Sequence, residues 1–139
     1  MSHRDKRAVL DTCMLRDYHF IEWLHNEFDG EICTSSVSYM EYRRQILNKD
    51  EDLKRFESMM KTFRVKVLPF DKNSAIISSE LMADRPSVCK TCGKIDWADT
   101  MIFSSVSNPS TILITENISD FPSDDRVMNP IQMGEILCE

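Results

Sequence analysis

Four carboxylates, Asp11, Glu41, Asp99 and Asp120, stand at positions where chemistry competes with ordinary structural duty. Asp11 follows the apolar run Ala8-Val-Leu10 directly and would by itself end a strand or cap a helix. Glu41 completes the pattern Ser38-Tyr-Met-Glu41, in which a capping-box Glu folds back onto the N-cap amide. It also lies four residues from Val37, on or beside the apolar stripe of a helix. Asp99 begins the series Asp99, Ile102, Phe103, Val106 at i, i+3, i+4, i+7. It therefore shares a core-facing stripe at a helix N-terminus where Asp96 is the expected N-cap. Asp120 alone reads as a turn residue in Ser119-Asp-Phe-Pro122. Together these residues fall where strand ends and helix starts converge, with no Lys or His nearby in sequence to pair them. Unpaired carboxylates in one cleft repel, and a hard divalent cation held by oxygen ligands relieves that repulsion. A site for Mg2+ or Mn2+, one ion or two, is the expectation. Such ions generate hydroxide and stabilise a phosphodiester transition state.

The elements that must position these acids can be read from periodicity. Ala8 to Asp11 reads as a buried strand and Arg16 to Phe28 as a helix with Tyr18, Ile21, Leu24 and Phe28 on its apolar face. Glu31 to Thr34 fits a second strand, Ser35 to Asn48 and Asp50 to Phe63 two helices, and Val65 to Leu68 a third strand stopped by Pro69. A helix over Asn73 to Ala83, with Ile76, Ile77, Leu81 and Met82 apolar, precedes a loop from Arg85 to Gly93. Helix resumes from Ala98 to Val106. Thr111 to Ile114 is the clearest strand, and a strand Val127 to Asn129 and a helix Ile131 to Leu137 close the chain. Alternating strands and helices predict an α/β fold with a mainly parallel sheet of four or five strands covered on both faces. Ligands in such sheets bind beyond the carboxyl ends of the strands, at a switch in strand order.

Composition sets the outer bounds. A chain of 139 residues with 42% hydrophobic and 29% charged residues fits one domain, 1–139, with a real core. A formal net charge of −6 argues against nucleic acid being held on a broad basic surface. No apolar run is long enough to span a membrane, so no membrane partner is expected. Five cysteines are an odd number for a disulfide framework, and a reducing, cytoplasmic setting is the better expectation. With three glycines, phosphate-cradling loops are nearly excluded.

The segments that carry the acids resemble those of the PIN domain family of metal-dependent ribonucleases, in particular the VapC-like toxins of prokaryotic toxin–antitoxin pairs. Val9-Leu-Asp-Thr12 is similar to the first motif and Thr34-Ser-Ser-Val-Ser-Tyr-Met-Glu41 to the second. Asp99 to Val106 resembles the Asp-initiated apolar helix. Ile112-Leu-Ile-Thr-Glu-Asn-Ile-Ser-Asp-Phe121 resembles the final strand with its Asn-x-x-Asp-Phe ending, and Val127-Met-Asn-Pro130 the short last strand. The resemblance implies a three-layer α/β/α sandwich and endonucleolytic cleavage of RNA. It implies Asp11 and Asp99 as central ligands of Mg2+ or Mn2+, with Glu41 and Asp120 completing the shell directly or through water. Thr12, Thr115, Asn117 and Asp96 would support those acids. Cys13 departs from the pattern, since the family usually has Asn or Ser there and so a better hydrogen-bonding group. The implied partners are an RNA substrate, an antitoxin protein and a second copy in a homodimer. Alternatives are a PIN nuclease of ribosomal RNA processing, a ribonuclease H-like nuclease and a catalytically silent PIN-like interaction module.

Two further features are open. Cys89-Lys-Thr-Cys92 has the spacing of one zinc knuckle, which is half a tetrahedral site unless two copies meet to complete it. Reduced loop thiols are the alternative. Arg43, Arg44, Lys54, Arg55, Lys61, Arg64 and Lys66 form a moderately basic tract, either solvated helix surface or a phosphate-guiding rim beside the acids.

Overall fold

A computed structural model describes residues 2–138. Its five strands are β1 (Arg7–Leu10), β2 (Glu31–Ser35), β3 (Lys66–Leu68), β4 (Thr111–Ile114) and β5 (Val127–Met128). The helices are α1 (Tyr18–Glu27), α2 (Ser36–Ile46), α3 (Asp50–Thr62), α4 (Lys72–Asp84), α5 (Trp97–Phe103) and α6 (Pro130–Leu137). The strands form one sheet in the order β3-β2-β1-β4-β5, and every ladder is parallel. The expected mainly parallel α/β architecture is therefore present, with five strands.

The strand sequences explain the layering, because side chains alternate between faces and both faces are covered. Ala8, Leu10, Ile32, Ile112 and Ile114 point into one core with Ile21 and Leu24 of α1, Phe56, Met59 and Met60 of α3, and Met133 of α6. Val9, Cys33 and Leu113 point the other way, against Ile102 and Phe103 of α5, with Val106, Phe121 and Val127. Helix α2 straddles the two, sending Val37 to one core and Tyr42 and Ile46 to the other.

Several sequence expectations shift. Helix α5 ends at Phe103, and a 3-10 turn over Ser104–Ser107 takes the chain to Val106. The hydroxyls of Ser104 and Ser105 donate to the carbonyls of Met101 and Ile102 at 2.6 and 2.9 Å, which competes with regular helix bonding. Ile76, read as apolar face, is 47% exposed, while α4 packs against α5 and the Ser104–Ser107 turn. Among the described residues no helix is long and apolar enough to cross a membrane.

Candidate active site

The strand order reverses between β1 and β4, since β2 and β3 lie on one side of β1 and β4 and β5 on the other. That reversal opens a crevice beyond the carboxyl ends of β1 and β4. The ladder carries on to its lip, where Asp11 N–H donates to the Ile114 carbonyl at 3.0 Å and Thr115 N–H to the Met128 carbonyl at 2.8 Å. The Thr34 hydroxyl adds a bond to the Leu10 carbonyl at 2.8 Å. Asp11 thus leaves a strand end fixed from three sides.

The cavity there has a volume of about 210 Å3 and is lined by Asp11, Thr12, Cys13, Arg16, Glu41, Tyr42, Gln45, Asp99, Asn117 and Asp120. All four sequence-predicted acids line it. A larger groove of about 500 Å3 runs along α4, but its cations Arg7 and Lys66 are already paired with Glu31.

Each acid has a traceable origin. Asp11 is buried, and its carboxylate accepts from Thr12 N–H at 2.8 Å, from the Thr115 hydroxyl at 2.7 Å and from the Cys13 thiol at 3.6 Å. Burial raises its pKa, those three bonds oppose the rise, and the charge of Asp120 adds to it. Glu41 is not in a capping box. The N-cap of α2 is Ser35, whose hydroxyl accepts from Ser38 N–H at 3.0 Å, one turn before the Ser38 start that the box requires. Glu41 therefore projects from the helix body and accepts from the Thr12 hydroxyl at 2.8 Å. Asp96 caps α5, accepting from Asp99 N–H at 2.9 Å, and does not itself line the cavity. Asp120 closes a 3-10 turn, Ile118–Asp120. The next residue, Phe121, is buried and stacks on Phe103 of α5 with ring centroids 6.4 Å apart, which anchors that turn to the helix bearing Asp99.

The sequence-predicted supporting residues divide. The Thr12 hydroxyl donates to Glu41 and the Thr115 hydroxyl to Asp11. Asn117 lines the cavity, and its backbone N–H donates to the Thr115 hydroxyl at 3.0 Å. Cys13 retains a hydrogen-bonding place despite its departure from the usual Asn or Ser. Its sulfur lies 3.6 Å from both Asp11 Oδ2 and Thr115 Oγ1. Burial pushes this thiol pKa up, so it stays protonated and able to donate.

Sequence reasoning missed Arg16 and Gln45. Gln45 could have been found at i+4 from Glu41, on the same helix face. Arg16 follows Asp11 by five residues and is exposed at the cavity wall, with no ion pair among the described residues. None of the seven residues of the basic tract lines the cavity. Arg43 of that tract is held by Glu57 at 3.5 Å.

Crowded carboxylates leave an electrostatic signature. Asp99 has its pKa pushed from 3.8 to about 7, first by burial and then by the charges of Asp96, Asp11, Asp120 and Glu41. Below about pH 4 Asp99 is protonated in both folded and unfolded chains. Between there and about pH 7 only the folded chain holds the proton, so stability falls as pH rises through that window. The metal-free Asp99→Asn variant is expected to exceed the parent at pH 8 by about 2 kcal/mol, after discounting for partial exposure, and to match it near pH 4. Denaturant unfolding in EDTA at the two pH values checks this.

A model of the PIN domain matches residues 9–122. The chain belongs to the PIN domain family. Beyond the matched span, β5 pairs with β4 in the same sheet and α6 follows it. Several solved structures share the fold. One is a toxin–antitoxin complex from Klebsiella pneumoniae, with TM-score 0.67, 20% identity, and 88% of this chain and 97% of that chain covered. VapBC-1 from nontypeable Haemophilus influenzae has TM-score 0.62 at 18% identity, covering 82% and 89%. VapBC2 from Rickettsia felis, bound to a DNA fragment from its promoter, has TM-score 0.60 at 18% identity, covering 88% and 96%. No curated protein matches this PIN domain significantly in sequence.

Proposed function

We propose that this PIN domain is a divalent-metal-dependent endoribonuclease and the toxin of a toxin–antitoxin pair. One observation carries the reading: Asp11, Glu41, Asp99 and Asp120 line a single open cavity at the reversal of strand order. Apart from one thiol, the groups lining it that can ligate are carboxylate, hydroxyl and carboxamide oxygens, which suits a hard cation and not a thiophilic one. Among the described residues no three His, Cys, Asp or Glu side chains converge to grip one ion directly. Mg2+ fits that spacing, because it commonly takes one or two carboxylates and keeps waters toward the rest. When bound, Mg2+ or Mn2+ supplies Lewis acidity and a water ionised near neutral pH.

The chain's own residues divide the remaining work. Asp11, clamped by Thr12, Thr115 and Cys13, cannot swing away from the cavity. Asp99 and Asp120 reach in from α5 and from the loop after β4, tied together through Phe103 and Phe121. Glu41, oriented by Thr12, supplies the facing wall. Arg16, the one cation on the cavity wall among the described residues, would contact a phosphate of the entering RNA. The toxin assignment draws on the structural neighbours, which are toxin–antitoxin complexes, and so implies an antitoxin as partner.

The nature of the cut ends tests the reading. If a metal-activated water is the nucleophile, structured RNA incubated with Mn2+ gives internal cuts without 2′,3′-cyclic phosphate. Cyclic phosphate products would place the nucleophile on the RNA itself, and no cleavage of any RNA would favour the silent module. Growth arrest on induced expression, relieved by the product of a neighbouring reading frame, is the expected result for the toxin assignment.

A further inference from the structure

The Cys89–Cys92 pair is not absorbed by the acidic site. It sits at the tip of a small hairpin. Val88 and Ile95 form an antiparallel bridge, Cys89 N–H donates to the Lys94 carbonyl at 2.8 Å, and Gly93 N–H donates to the Cys89 carbonyl at 2.8 Å. Gly93 holds φ +76°, the left-handed conformation that lets the chain turn back after Cys92. Within this turn the polar groups of Cys92 and Thr91 hold the Cys89 pKa below that of an ordinary thiol. A lowered pKa favours the thiolate, the form in which cysteine binds metal. Cys89 is half-buried and Cys92 exposed.

The pair is chemically incomplete. Zinc takes four ligands in a structural site. Among the described residues no third His, Cys, Asp or Glu joins these two thiols. Beside them lies an uncovered apolar strip, with Val88 43%, Ile95 39% and Trp97 65% exposed. Val88 and Ile95 are cross-strand partners, and the extended Asp96 returns Trp97 to the side of Ile95. Missing ligands and missing cover therefore adjoin on one hairpin. An identical hairpin related by a two-fold axis provides both.

We propose that two copies of this chain meet through this hairpin and share one zinc ion, held by Cys89 and Cys92 of each copy. The bridge has a structural consequence. Asp96 N–H donates to the Ser87 carbonyl at 2.8 Å, and Ser87 N–H to the Thr100 hydroxyl at 3.0 Å, so the hairpin base is fastened to the start of α5. Zinc binding would stiffen the N-terminal turn of the helix that carries Asp99.

Zinc content and mass of the full chain decide the proposal, independently of any ribonuclease assay. Protein loaded with zinc chloride and freed of excess is expected to hold about 0.5 zinc per chain, and chelation is expected to halve the mass of the assembly. Co2+ in its place should show the charge-transfer and visible bands of tetrahedral thiolate coordination. Cys89→Ser and Cys92→Ser should each lower zinc content at least about tenfold, while Cys138→Ser should keep it. Zinc near one per chain in an unassociated protein would overturn the proposal. So would negligible zinc with Cys89 and Cys92 titrating as free thiols, or a Cys89–Cys92 disulfide after anaerobic purification.

Discussion

Asp11→Asn is expected to slow RNA cleavage in saturating Mn2+ by about 1,000-fold or more, equivalent to about 4 kcal/mol of transition-state stabilisation. The substitution keeps the shape of the side chain, removes its charge and replaces one acceptor oxygen by a donor nitrogen. Because burial makes the Asp11 carboxylate costly to ionise, the metal-free variant should fold at least as stably as the parent. Loss of activity with unchanged or higher stability separates a site role from a structural one. Single-turnover cleavage rates beside thermal unfolding in EDTA measure both. A variant within about threefold of the parent rate would remove Asp11 from the machinery.

The second large effect concerns support. Phe56 of α3 is fully buried and packs edge-on against Tyr42 of α2, with ring centroids 4.8 Å apart, and against Tyr39 at 5.7 Å. Tyr42 lines the cavity one residue after Glu41, so α3 braces the wall that Glu41 occupies. Phe56→Ala should cost about 3 to 5 kcal/mol of stability through lost burial and a cavity that these rings cannot fill. Below its unfolding midpoint the variant should keep its metal dependence and lose only part of its rate. Denaturant unfolding gives the stability change, and cleavage rates at 10–15 °C, where the variant remains folded, give the rest.

Legibility in the sequence followed burial. The strands around Ala8–Leu10 and Thr111–Ile114 were readable because both faces of each are buried and their runs are unbroken. Asp11 was readable as a strand-end acid for the same reason, whereas Asp120 by itself read as a turn residue and sits in the 3-10 turn Ile118–Asp120. The capping-box reading of Ser38 and Glu41 failed on local competition, since Ser35 offers its hydroxyl to Ser38 N–H one turn earlier and starts the helix there. Order in the sheet, with its reversal between β1 and β4, depends on long-range pairing and has no local trace. The same is true of the Phe103–Phe121 stack that ties Asp120 to α5. Arg16 escaped notice because the sequence places it merely at the start of a helix, whereas that helix begins at Tyr18 and only the folded cavity gives the exposed arginine a role.

The acidic composition reads differently with the site assembled. Four of the negative charges face one cavity, and the cation on its wall, Arg16, comes from outside the basic tract. Weak, metal-dependent RNA binding is more consistent with that arrangement than tight electrostatic capture.

The most direct test of the central claim is cleavage of one structured RNA by the parent chain with Mn2+, by the parent with EDTA, and by Asp99→Asn with Mn2+. The account predicts internal cuts in the first reaction alone. Cleavage that persists in EDTA, or that survives Asp99→Asn at the parent rate, would contradict it.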